Sequence, residues 1–360
     1  MLQKFRLALR CLMILGVTFG TISESLSQEA SFRWEPLTVE KLSNGLTVIV
    51  KENHSAPLVV SDIWFGVGSR NETSENNGVA HFLEHTLFKG TKNRGVGQIA
   101  KDIESFGGRT NAATSLDYTH YYILCESAYI SNALEIQADV FHNSTLLGEV
   151  IDSERPVILE EIKRGEDDPH KMLWNTLMTN MYSNLPYKRT IIGPRENIST
   201  KISREEMLQF FRTWYGPNNM TIVIVGDINA KVVIEKVKSL FGDLSPSPLP
   251  DQSFGAEPEL KAIRIVRKEM DVKNEYLLMA FRTVTPKQEE DLIGLDLLGA
   301  ILGEGRTSRL SASLKENRGL VTQVSANHLT LIDDGLFLIK AEFDPIDETE
   351  VLEGIREEIR

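Results

Sequence analysis

Two cysteines in 360 residues, Cys11 and Cys125, give this chain no disulfide framework. If an N-terminal leader is removed, Cys125 stands alone, so stability has to come from packing, and the count points to no redox compartment. Positive charge is also scarce, with 39 Lys plus Arg against 51 Asp plus Glu and a net charge of -12 at pH 7. That balance opposes the phosphate neutralisation nucleic-acid binding requires, and suits cationic or peptide partners. The apolar run Cys11–Phe19 falls short of the roughly 20 residues a bilayer-spanning helix needs. Low-complexity tracts are missing, and 41% hydrophobic with 25% charged residues is the composition of a soluble globular protein of about two domains. Disordered, collagenous and multi-span classes are set aside.

The first 27 residues have the layout of a secretory signal. Lys4, Arg6 and Arg10 precede the apolar run, and Ser25 and Ser27 offer small side chains at the -3 and -1 positions of a cleavage site before Gln28. Export, most simply to a bacterial periplasm, is the expectation. A mitochondrial transit peptide with a matrix location is the competing reading, since no acid occurs before Glu24, and an uncleaved leader would serve as an anchor.

Beyond the leader, strand and helix patterns alternate. Leu46–Val50 and Leu58–Phe65 are β-branched, period-2 runs that read as paired strands. A helix is expected from Gly78 to Leu87, and another carrying Ile99, Ala100, Ile103 and Phe106 on one face until Gly107-Gly108. Alternation over Asn111–Cys125 predicts one long strand. Helices follow at Tyr129–Phe141 and Glu154–Arg164, the latter with Ser153 as cap and Pro156 in its first turn, and Thr221–Val225 reads as a buried strand. Prolines 246, 248 and 250 prevent helix or central strand and mark a linker. After it, Ile265–Glu269 echoes Val48–Glu52, and Tyr276–Phe281 echoes Leu58–Phe65, so a repeated α/β unit is expected.

The chemistry concentrates in His81-Phe82-Leu83-Glu84-His85. On a helix, positions i, i+3 and i+4 share a face, which lets both imidazoles reach one Zn²⁺ and sets Glu84 beside them. A catalytic zinc wants a third protein ligand and an open position for water. Downstream, Glu154 and Glu161 are seven apart and share a helix face, whereas Glu160 points about 100° away. Spacing alone leaves each of these acids open to an ordinary solvated role. The glycines of Gly303-Glu304-Gly305-Arg306-Thr307-Ser308 lack phosphate-loop spacing and read as a turn, and His54, His120, His142, His170 and His328 have no ligand spacing. Asn71-Glu72-Thr73 is at most a glycosylation acceptor.

His81 to His85, with Glu154 and Glu161 in Glu-Arg-Pro-Val-Ile-Leu-Glu-Glu-Ile, resembles the inverted zinc motif of the pitrilysin/insulinase family, in particular its mitochondrial-processing-peptidase-like branch. The 76-position step from His85 to Glu161 is similar to the family's spacing. Asn44-Gly45-Leu46, Gly107-Gly108 with Asn111-Ala112, Gly193, and Tyr215-Gly216-Pro217-Asn218-Asn219 through Gly226-Asp227 resemble further family landmarks. The resemblance implies an α+β fold of duplicated two-layer units with mixed, largely antiparallel sheets, forming half of a clamshell peptidase. It implies one Zn²⁺ held by His81, His85 and Glu161, with Glu154 as a supporting acid. Glu84 is implied as general base toward the attacking water, and Asn111 and Ala112 as the strand that binds peptide substrate.

These expectations divide the chain into a signal peptide at 1–27, a zinc-binding unit at 35–245, a linker at 246–260 and a second, metal-free and incomplete unit at 261–360. Asp296, Gly299 and Ala300 fall about where His81, Glu84 and His85 would recur. Active family members resemble one another in an Arg and a Tyr of the second half, and here Lys315 and Thr322 occupy those places. Lys315 lacks the planar guanidinium fork, and Thr322 the phenol. A zinc-less homologous subunit that donates the pair, or a homodimer, is therefore expected beside peptide substrates. The alternative role is a non-catalytic peptide-binding or assembly subunit of a processing protease.

Overall fold

The computed structural model describes residues 37–360, and the expected signal peptide lies outside them. In the first lobe, β1 (Thr38–Lys41), β2 (Thr47–Glu52), β3 (Leu58–Phe65), β4 (Arg109–Thr114), β5 (Thr119–Glu126) and β6 (Met220–Gly226) form one sheet. Its order is β1-β2-β6-β3-β5-β4, antiparallel except for the β2/β6 pair. Every second residue of β3, β5 and β6 is buried, which fixes their register, because a one-residue slip would turn the apolar set to water.

The buried face is covered by helices. These include α1 (Val79–Leu87), α2 (Gln98–Ser105), α3 (Ile130–Asn143), α4 (Gly148–Glu166), α6 (Arg204–Trp214) and α7 (Ala230–Phe241), whereas α5 (Pro169–Met181) lies apart from this layer and packs toward the second lobe. A buried polar clip ties α3 to the sheet: the Ser61 hydroxyl donates to Gln137 Oε1 at 2.7 Å, and Gln137 Nε2 donates to the Ser61 carbonyl at 3.0 Å. α1 packs against β4, α4 and α6 and is buried nearly all round, with only its Glu84 and His85 partly exposed. It begins at Gly78 with φ 102°, where a Cβ would stand 2.7 Å from the Ile192 carbonyl oxygen, a conformation and a closeness that require glycine.

The second lobe is smaller. β7 (Glu275–Arg282), β8 (Gln323–Leu329) and β9 (Leu336–Phe343) form an antiparallel sheet in the order β7-β9-β8, with α8 (Glu289–Gly303) and α9 (Glu348–Ile359). This repeats the antiparallel β3-β5-β4 order of the first lobe. The mixed α+β architecture with open sheets is as expected.

Three local expectations are corrected. Residues Asn111–Cys125 form a hairpin, not one strand, because Leu116 and Asp117 leave the alternation and bury themselves against the second lobe. Helix α4 begins at Gly148 rather than after a Ser153 cap. Pro156 lies inside it, and buried Val150 and Ile151 hold the extra N-terminal turns. Ile265–Glu269 is no strand, and Ile265 is 78% exposed. In the first lobe the matching strand β2 pairs with β1 and β6 and never with β3; among the described residues the second lobe has no counterpart of β6 to receive such a strand.

The two lobes share an apolar cluster in which Leu116, Met178, Tyr182, Leu185 and Tyr187 meet Leu331, Leu336 and Leu338. The proline-rich stretch between lobes has no regular structure, yet it is pinned. Glu257 accepts hydrogen bonds from the backbone N–H groups of Ser183, Asn184 and Leu185. No helix among the described residues is long and apolar enough to cross a membrane.

Candidate metal centre

α1 and α4 bring the expected ligands together. Nε2 of His81 and Nε2 of His85 each stand 3.7 Å from Glu161 Oε2, and one ligand atom from each of the three residues lies within 4.8 Å of the others. Two imidazoles and a carboxylate in such an array are the donor set of a catalytic zinc, and the residues present fit that ion. The His81 side chain is only 11% exposed while Glu161 is 35% exposed, so the cluster opens to solvent on the Glu161 side.

Burial of His81 pushes its imidazole below the usual histidine range, which favours the neutral ring that a metal ligand must be. His81 Nδ1 is buried with no hydrogen-bond partner among the described residues. His85 goes the other way, because its hydrogen bond to Glu161 raises it against a smaller desolvation effect, and the same bond holds Glu161 below its ordinary value. An imidazole and a carboxylate facing each other stabilise each other's charged forms, as expected of ligands paired by proximity alone.

Around this trio, Glu154 accepts from His85 Nδ1 at 3.4 Å and forms an ion pair with Lys89 Nζ at 3.0 Å. A carboxylate behind the non-ligating nitrogen orients a histidine ligand and fixes its tautomer. Glu84 lies on the same face of α1, and its Oε2 accepts from the Thr114 hydroxyl at 2.5 Å. Thr114 ends β4, whose outer side bears no strand among the described residues, so that there β4 offers an open hydrogen-bonding edge next to Glu84. Asn111 and Ala112 sit on that strand, opposite Tyr122 and Tyr121 of β5.

Three residues escape the sequence reading. Thr114 lay inside the supposed long strand, with nothing to distinguish it from its neighbours. Lys89 stands four positions after His85, a helical spacing that does carry a signal. Glu72 belonged to a triplet read only as a glycosylation acceptor. It is fully buried and accepts from the N–H groups of Gly78 and Ala80 at 2.9 and 2.8 Å and from Asn77 Nδ2 at 2.7 Å, capping the start of α1. In the second lobe, Asp296 accepts from His328 Nδ1 at 3.2 Å, Gly299 lies against β8, and Thr322 donates its hydroxyl to the Glu342 carbonyl. The described residues contain no second cluster of metal-ligating side chains.

An open-sheet α+β lobe that presents two helical histidines and a glutamate beside a free strand edge is the architecture of a zinc-protease lobe. The chain belongs to the insulinase family, peptidase family M16. That family's signature matches residues 47–195, and that of the peptidase M16 inactive domain matches residues 201–360. The zinc protease YmxG of Bacillus subtilis (strain 168) is 31% identical over 297 residues, which are 82% of this chain and 71% of that protein. A probable mitochondrial-processing peptidase subunit beta of Arabidopsis thaliana is 38% identical over 210 residues, 58% of this chain and 39% of that one. Among solved structures, a protease from Helicobacter pylori superposes with a TM-score of 0.81 at 29% identity, covering 89% of this chain and 79% of that one.

Proposed function

We propose that the protein is a zinc-dependent endopeptidase that hydrolyses peptides or unfolded polypeptide segments. The observation that carries this reading is the convergence of His81 Nε2, His85 Nε2 and Glu161 Oε2 next to Glu84 and the open edge of β4. Zinc, when bound, supplies Lewis acidity toward a water molecule and the scissile carbonyl. Glu84 takes the proton from the attacking water and delivers it to the departing amine, with Thr114 holding the carboxylate in line. β4 pairs with the substrate backbone as an added strand along Asn111 and Ala112, a mode that depends on main-chain groups and so tolerates many sequences. Glu154 and Lys89 steady His85.

The same reading divides the chain at a linker of residues 246–260 and takes the leader pattern at 1–27 as support for export. The second lobe's Thr322 spends its hydroxyl on its own sheet and Lys315 has no guanidinium, which supports a partner subunit, zinc-less and homologous, supplying the missing Arg and Tyr. That same deficit favours the second reading, a peptide-binding or assembly subunit.

Zinc content and cleavage of a fluorogenic peptide separate the two. One zinc per wild-type chain, its loss in Glu161→Gln, and cleavage abolished in Glu84→Gln with zinc retained are the expected results. Wild-type protein that holds zinc but shows no Glu84-dependent cleavage, even beside a zinc-less homologue, would leave only the binding role.

A further inference from the structure

The metal helix starts from a segment that the second lobe grips. Ser69–Asn71 is a single 3-10 turn whose Ser69 and Arg70 N–H groups donate to the Ser115 and Leu116 carbonyls of the β4–β5 turn at 3.2 and 2.9 Å. From it the Arg70 side chain, 11% exposed, reaches the β8–β9 turn of the second lobe. Its Nε and Nη2 donate to the two carboxylate oxygens of Asp333 at 2.5 and 3.1 Å, and its Nη1 donates to Gln252 Oε1 at 3.1 Å. A two-pronged bond of this kind fixes direction as well as distance. Asn71 Nδ2 donates to the same Gln252 oxygen at 2.8 Å. The frame around them is closed, because Tyr187 donates its hydroxyl to Asp117 at 2.8 Å and the N–H groups of Ile332 and Asp333 donate to Asp117 and Tyr187.

Two residues after Arg70 comes Glu72, whose carboxylate takes up the N–H groups of Gly78 and Ala80 and the Asn77 amide. Arg189 donates to the Glu72 carbonyl from the other side. Ala80 directly precedes His81. The contacts thus run unbroken from a second-lobe aspartate to the first turn of the helix that bears both histidines, and each member is buried or half-buried.

We propose that Asp333 of the second lobe is a positioning residue for the metal helix, acting through Arg70 and Glu72. This rests on the reading of α1 as the zinc-bearing helix. It gives the metal-free lobe a task at the metal: Asp333 anchors Arg70, Arg70 sets where Glu72 stands, and Glu72 sets the rotation of α1 that aims His81 and His85 at Glu161. Removing the Asp333 charge leaves the buried Arg70 guanidinium with Asp117 at 3.8 Å as its remaining acid. The segment then has to shift, and a displacement approaching 1 Å at a catalytic group costs on the order of a hundredfold in rate.

The test uses the full chain and reads zinc affinity by chelator competition, the visible absorption of the Co²⁺-substituted protein, thermal stability, kcat and KM. Asp333→Asn is expected to weaken zinc about tenfold, within the roughly 10- to 100-fold range for partners behind a ligand, to alter the Co²⁺ bands, and to lower kcat with KM nearly unchanged. Asp333→Glu restores most of the loss. Combined with Glu72→Gln, the effect is smaller than the product of the single effects, as for members of one path. Asp334→Asn is the control, because its carboxylate faces Arg282 at 3.7 Å, and it leaves zinc affinity within about twofold. If Asp333→Asn does not fold, Gln252→Ala is read in its place, with a loss of about threefold expected.

Wild-type zinc affinity and Co²⁺ bands in a variant whose melting temperature has fallen would show a purely structural contact and overturn the proposal. So would equal losses in the Asp334→Asn control. A wild-type chain that takes up no zinc defeats the metal reading itself, and this inference with it.

Discussion

The two lobes lay the same strand order beneath a helix and use that helix differently. In the first lobe α1 offers His81, Glu84 and His85 toward Glu161 and β4, and its N-terminus is tied down by Glu72. In the second lobe α8 carries Asp296, Gly299 and Ala300 at the matching places and lies pressed on β8. A Cβ added at Gly303 would stand 1.8 Å from the Ala326 nitrogen, and one at Gly299 would stand 3.3 Å from the Asn327 Cα. In the first lobe three ligand atoms converge between α1 and α4, and in the second the corresponding helix is pressed backbone to backbone against β8.

Removing the proton acceptor breaks the active side of that contrast most severely. Glu84→Gln is expected to lower kcat by about 10²- to 10⁴-fold while the zinc content stays at wild type, checked by peptide turnover and metal analysis on one preparation. Retention of more than a tenth of the activity would remove Glu84 from the proton path. On the other side, Gly303→Ala forces a methyl group onto the β8 backbone and is expected to cost about 3 kcal/mol or more in urea unfolding, with zinc affinity much less affected. A neutral result would mean that α8 does not rest on the β8 backbone at Gly303.

The sequence spoke clearly where chemistry dictates spacing. His81, Glu84 and His85 are legible because helical periodicity puts them on one face, and β3 is legible because its burial alternates from end to end. Glu161 became readable only through the likeness of a whole stretch, since seven-residue spacing equally suits Glu154 as a partner. Thr114 and Glu72 were out of reach. The first depends on a hairpin whose turn, Ser115 to Tyr118, contains neither Gly nor Pro, and the second on a chain reversal that returns a carboxylate to amides six and eight residues later. The Ile265–Glu269 strand failed because period-2 patterning records a strand's willingness to pair and says nothing of whether a neighbour is present.

Glu72 separates the lobes by pH, because the start of α8 has no buried carboxylate of this kind. Burial pushes Glu72 up to about 7, against the opposing hydrogen bonds of Ala80, Asn77 and Gly78. An acid raised in the folded state binds more protons there than in the unfolded chain. The stability it contributes is therefore full below its unfolded value of 4.5 and lost as pH climbs toward 7, by at most about 3 kcal/mol. Metal-free protein followed by urea unfolding from pH 4.5 to 8 should show this decline, and Glu72→Gln should flatten it at a constant cost of about 1–3 kcal/mol for the misplaced amide. An unchanged pH slope in the variant would assign the titration to another group.

The smallest expected effect addresses the alignment of Glu84. Thr114 reaches the Glu84 carboxylate from the last position of β4, and the strand's outer edge is where a substrate backbone would pair. Thr114→Val keeps the shape and the β-branched preference for a strand but removes the donated hydrogen bond, worth about 1–2 kcal/mol when the acceptor is charged. If the hydroxyl only holds the base, kcat falls about tenfold, KM stays within twofold, and Thr114→Ser recovers most of the rate. If KM rises instead while kcat persists, Thr114 belongs to the substrate edge with Asn111 and Ala112, and the base is held by the helix alone. Since α8 carries neither the base nor its holder, the outcome decides whether edge strand and metal helix act in the first lobe as one catalytic unit or as two neighbours.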